Sequence, residues 1–80
     1  MSGRSRPGEF DRLLGQRLRT AREAQRLTLR AVEVLSAGRF NPVTLGSYER
    51  GDRSLTVERA ADLAALYGVP LAELLPPTGQ

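Results

Sequence analysis

NPVTLGSYERGDR, residues Asn41 to Arg53, is the stretch on which the reading of the chain turns. Asn41 is a strong helix N-cap, because its side-chain oxygen can accept from a free amide of the first turn. Pro42 follows at the first helical position, where its missing N–H costs nothing. Leu45 and Tyr48 are three residues apart and share one side of a helix, which predicts a buried face. Val43, Thr44, Gly46, Ser47 and Arg50 are left on the other side. Gly51 is a natural left-handed stop. The stretch therefore predicts about two turns of helix, Pro42 to Arg50, anchored by its apolar side. Its outer side is small, uncharged and able to hydrogen-bond, and it ends in Arg50 and Arg53. Such a face suits close contact with a flat or grooved partner, whereas a solvated face more usually carries Glu and Lys.

Working outward, Thr28 can cap a preceding helix from Leu29 to Leu35, with Val32 and Leu35 on its buried side. The turn Ser36–Phe40 carries Gly38 at a left-handed position. Phe40 stands just before the Asn41 cap, placed for a staple-like contact with the next helix. Further back, Phe10, Leu13, Leu14, Leu18 and Ala21 recur at helical spacing between Glu9 and about Gln25. Gly15 lowers helix propensity there by about 1 kcal/mol relative to Ala. On the other side of Gly51, Thr56 caps a helix from Val57 to Tyr67 with a stripe of Val57, Ala60, Leu63, Ala64 and Tyr67, stopped by Gly68. A short fifth helix is expected from Pro70 to Leu75. Its Leu71, Leu74 and Leu75 either close the monomer core or pack against a second copy. No strand-like alternation competes, so the fold class is all-α with five helices.

Eighty residues make one small domain, marginal but workable without staples. The formal net charge is +3, and all 12 basic residues are arginine. Residues 1–53 hold 11 Arg against 6 acids, while residues 54–80 hold 1 Arg against 3 acids. A basic front and a mildly acidic back imply an anionic partner for the front. Cysteine and histidine are absent, which removes disulfides, thiolate metal sites and the commonest general base. No nucleophile–base spacing stands out among the Ser, Asp and Glu residues. An enzyme, a metal site and a cofactor are therefore not expected. No apolar run approaches the roughly 20 residues needed to span a bilayer, and MSGRSRPGEF has no apolar signal region. The expected location is the cytoplasm, on the nucleoid. Residues 1–8 read as a flexible basic arm or a frayed end, 9–76 as the domain, and 77–80 as a tail or linker.

Two short helices joined by a small turn, the second bare and polar on its outside, form a helix-turn-helix. B-DNA's major groove admits one helix, whose exposed side chains meet base edges. The chain also resembles the Cro/C1-type, XRE-like (lambda-repressor-like) family. Tyr48-Glu49-Arg50-Gly51 stands where that family ends its third helix. Tyr67-Gly68-Val69 with Leu74-Leu75 matches its closing segment, and Leu18-Arg19 with Arg22 matches its first helix. The likeness covers residues 10–76. The GSYERGDR run, the long Ser36–Phe40 turn and YGVPLAELLP look most like the DNA-binding domains of actinobacterial developmental regulators.

The resemblance implies roles at the matching positions. Arg22 pairs with Glu49 and locks the reading helix to the scaffold, a task suited to a bidentate Arg–carboxylate fork. Val43, Gly46 and Ser47 fall at base-facing positions. Thr28, Asn41, Thr44, Arg50 and Arg53 fall at phosphate positions, and Arg30 and Arg39 flank the same face. Leu29 and Pro42 stand where many members carry Gln, Glu33 replaces a usual small residue, and the turn is about two residues longer. With few direct base readers, DNA shape is expected to contribute to specificity. The expected function is a sequence-specific double-stranded-DNA-binding regulator. Its simplest form is a repressor acting as a homodimer, formed either in solution or only on DNA, at a palindromic or pseudo-palindromic operator. The alternatives are an antitoxin that also autoregulates its operon, and a protein-interaction or membrane-surface module using the basic first helix.

Overall fold

Three polar caps set the frame of the molecule. The computed structural model describes residues 8–77. Apart from Gly8 and Pro77, the arm and tail expected from the sequence lie outside the described residues. Five helices follow in order: α1 (Glu9–Ala24), α2 (Leu29–Leu35), α3 (Pro42–Arg50), α4 (Val57–Tyr67) and α5 (Leu71–Leu74). Thr28 accepts from the amide of Ala31 at 3.0 Å, Asn41 from that of Thr44 at 2.8 Å and Thr56 from that of Arg59 at 3.1 Å. Each cap satisfies an amide that the first turn leaves without a helical partner, worth about 1 kcal/mol.

Leu14, Leu18, Val32, Phe40, Leu45, Tyr48, Leu63, Ala64, Tyr67 and Leu74 form one buried core drawn from all five helices and the turn. The apolar stripes are narrower than their spacing suggests. Phe10 and Leu13 lie at the edge of α1, 38% and 37% exposed, and Val57 at the first position of α4 is largely in solvent. Leu35, expected inside, is 55% exposed, whereas Phe40 from the turn is buried. The α2 helix has only seven residues, so the chain returns to the core through Phe40 rather than through another helical turn.

The connection from α2 to α3 is held by its own backbone and one hydroxyl. Ser36 Oγ donates to the carbonyl of Glu33 and accepts from the amide of Phe40. Ala37 and Gly38 both take positive φ, which reverses the chain within a few residues. At the other end of the molecule, α5 is shorter than expected. Its Leu74 is buried, and Leu71 and Leu75 are partly buried against the core. Arg17 of α1 donates to the carbonyls of Glu73 and Leu75, which ties α5 down.

Candidate nucleic-acid interface

α3 is held hard on one side and bare on the other. Leu45 and Tyr48 are buried, while Val43, one turn earlier, is 79% exposed. Thr44, Gly46 and Ser47 are half-buried, and Arg50 is exposed. In the chain, Arg39 stands before Asn41, and Arg50 and Arg53 stand at and after the end of α3.

The support comes first from α1. A Cβ on Gly15 would overlap the carbonyl oxygens of Tyr48 and Glu49. The two helices therefore cross backbone against backbone, which a side chain at residue 15 would prevent. Propensity alone made Gly15 a weak point; the crossing is what it is for. Gly51 plays a matching part at the end of α3. It takes φ 79°, and a Cβ there would stand 2.7 Å from the Cα of Arg12.

The second support is ionic. Arg22 Nε donates to Glu49 Oε2 at 2.7 Å, and Nη2 donates to Oε1 at 3.1 Å. The third nitrogen, Nη1, donates to the carbonyl of Leu27 at 2.6 Å. The two side chains are only 11% and 8% exposed. The hydrogen bond to Glu49 raises the Arg22 pKa above its ordinary value, against the opposing effect of burial. Tyr67 lies within the field of this pair, and burial pushes its phenol up to about 12. Its hydroxyl makes no hydrogen bond with any described residue. Tyr48 is better placed, since its hydroxyl accepts from Arg59 Nη1 of α4 at 3.0 Å.

The flanking cations are not free. Arg39 reaches Asp62 at 2.8 Å, a charge contact that falls short of a directed hydrogen bond. Its guanidinium also stands 6.0 Å from the centre of the Phe40 ring. Arg30 faces Glu33 at 3.5 Å, and Arg50 Nε donates to Asp52 at 2.9 Å. Arg53 has no charged partner among the described residues. Thr28 and Asn41 use their side-chain oxygens as caps, so the Thr hydroxyl proton and the Asn amide protons remain for an outside acceptor. No signal in the sequence pointed to the carboxylates of Asp52 and Asp62, because such pairings depend on where loops fold back.

Two short helices joined through a long turn, the second propped from behind and bare in front, define a helix-turn-helix domain. The chain belongs to that family: a family model described as "Helix-turn-helix domain" matches residues 13–75. The DNA-binding domain of BldD is 51% identical over 95% of this chain and 100% of that one, with a TM-score of 0.81. The S. venezulae BldD DNA-binding domain is 54% identical over 85% of this chain and 99% of that one, with a TM-score of 0.80. The restriction-modification controller protein C.AhdI from Aeromonas hydrophila is more distant in sequence. It is 27% identical over 89% of this chain and 100% of that one, with a TM-score of 0.78. No curated protein sequence gave a significant match.

Proposed function

We propose that this chain is the DNA-binding domain of a transcription regulator and seats α3 in the major groove of double-stranded DNA. One observation carries this reading. A helix face led by Val43, 79% exposed, continues through the half-buried Thr44, Gly46 and Ser47, with Arg39 before it and Arg50 and Arg53 after it in the chain. That shape and chemistry fit a groove about 12 Å wide that presents base edges between two phosphate backbones. Similarity to the DNA-binding domains of BldD supports it.

In this arrangement Val43 packs on a thymine methyl, Ser47 bonds to a base edge, and Gly46 adds no side chain of its own between them. Thr28, Asn41 and Thr44 donate to phosphate oxygens at the starts of α2 and α3, while Arg30, Arg39 and Arg53 meet the backbone on either side. The Arg22–Glu49 fork keeps α3 at a fixed angle to α1, so the phosphate contacts and the base contacts keep one register. A single domain spans too few base pairs to define a genomic site. Two copies on one face of the duplex, about 34–36 Å apart, meet that need. The regulator therefore acts as a homodimer on a palindromic or pseudo-palindromic operator, and a repressor that occludes a promoter is its simplest form.

Titration of duplexes selected from a random pool tests the reading face. Val43→Glu sets a carboxylate against the DNA, and Ser47→Arg fills the groove with bulk. Both variants are expected to lose specific binding with an unchanged melting temperature. If both bind the selected duplex like the parent, α3 does not enter the groove by this face.

A further inference from the structure

The family resemblance groups Arg50 with the phosphate contacts, and the position of its side chain suggests a different part in the same interface. The side chain folds back along α3 toward the helix N-terminus. A Cβ on Gly46 would stand 3.1 Å from Arg50 Nη1, so the guanidinium lies directly over the bare backbone one turn earlier. Nη2 points at Ser47 Oγ at a long 3.5 Å. The charge thus sits above Gly46 and Ser47, two positions that the family resemblance turns toward base edges, rather than beyond the helix end.

The guanidinium is also anchored. Asp52 Oδ2 takes Nε at 2.9 Å, while Nη1 and Nη2 lie along Gly46 and Ser47 with the side chain still 63% exposed. Asp52 itself is planted by the backbone. Gly51 is pressed against α1 at Arg12, and the Asp52 amide donates to the carbonyl of Ser47 at 2.9 Å. An exposed ion pair such as this, with side chains 63% and 61% exposed, adds little to stability. Its effect is to restrict where a long, otherwise mobile side chain points. A guanidinium held over Gly46 needs only a small turn of its outer end, whose contact with Ser47 is a long 3.5 Å, to meet the O6 and N7 acceptors of guanine, a pattern no other base offers in the major groove.

We propose that Arg50, laid over Gly46 and buttressed by Asp52, reads a guanine in the major groove. This rests on the placement of α3 in the groove proposed above, and the experiment separates the two. Binding sites are selected from a random duplex pool with the parent protein, Arg50→Lys and Asp52→Asn, and every selected motif is titrated. The parent is expected to select a motif with guanine fixed at one position of each half-site. Arg50→Lys keeps the charge but loses the fork, so preference for that guanine falls on the order of tenfold or more. The other positions and the salt dependence are retained. Asp52→Asn blurs the same position several-fold while binding to unrelated duplex tightens, because a carboxylate near the phosphates has gone. Unchanged base preferences in Arg50→Lys, with only a uniform loss of affinity, would make Arg50 a phosphate contact and overturn the proposal. An unchanged guanine preference in Asp52→Asn would remove Asp52 from it. A parent protein that selects no motif would sink the groove placement itself, and the guanine contact with it. Both substitutions are at exposed positions, and equal melting temperatures show that folding is not the cause.

Discussion

Replacing Glu49 by Ala should cost far more than an ordinary surface substitution. The carboxylate takes two hydrogen bonds from Arg22, at 2.7 and 3.1 Å, with both side chains almost out of solvent. Among the described residues, removing it leaves a guanidinium with one hydrogen-bond acceptor, the carbonyl of Leu27, and the Glu23 carboxylate 4.0 Å away. Breaking a buried pair from one side costs about 3–5 kcal/mol. The remaining carbonyl and the residual exposure of Arg22 favour the lower end, about 3 kcal/mol. For a domain of this size that lowers the melting temperature by roughly 12–24 °C. Urea unfolding followed by far-UV circular dichroism reads the difference directly. The double variant Arg22→Met with Glu49→Leu adds a second test. Matched apolar groups can replace a buried pair at little cost, so it should recover more than half of the stability lost in Glu49→Ala. A loss below about 1 kcal/mol for Glu49→Ala, the scale of an exposed pair, would refute the reasoning. So would a double variant whose loss equals the sum of the single ones.

Gly15→Ala pits two effects against each other. Helix propensity favours the alanine by about 1 kcal/mol, but its methyl would overlap the α3 carbonyls. Overpacking of this kind costs about 1–3 kcal/mol, so a net loss is expected in the urea midpoint; a gain would mean that the crossing is looser than described. Tyr67→Phe should be neutral or stabilising by up to about 1 kcal/mol, because it removes a buried hydroxyl with no hydrogen-bond partner among the described residues. The same phenol sets an alkaline limit. Its folded pKa of about 12 exceeds the ordinary 10, so ionising the phenol costs the folded state more than the unfolded one. Stability is untouched by this below pH 10 and falls as pH rises through 12, by roughly 2–3 kcal/mol in all, and Tyr67→Phe should lack that fall. Asn41→Ala should cost about 1 kcal/mol through the lost cap and weaken duplex binding as well. An unchanged stability would mean that the Thr44 amide finds another acceptor.

Much of the fold is legible because its signals are local. Thr28, Asn41 and Thr56 mark helix starts within one turn of where they act, and Gly51 and Gly68 mark stops by their left-handed φ. The bare side of α3 follows from the spacing of Leu45 and Tyr48 alone. What depends on distant parts of the chain was not legible. By helix propensity Gly15 reads as a flaw, and only the backbone of α3 lying across it accounts for the residue. Leu35 sits at the right spacing for burial, yet the turn brings Phe40 into the core instead. The pairing of Arg22 with Glu49 came from the family resemblance rather than from spacing, since the two lie on different helices. The direction of Arg50 depends on Gly46 having no side chain and on Asp52 following a glycine that is pressed against α1, and no periodicity encodes either.

The most direct test of the account is the affinity of the protein for a selected duplex, measured by fluorescence anisotropy across a series of salt concentrations. Each phosphate neutralised contributes a slope of about −0.9 in log affinity against log salt. With Arg30, Arg39 and Arg53 at the backbone, the account predicts a slope of roughly −3 per copy, doubled for a dimer. A flat salt dependence, or no complex with any duplex, would contradict it.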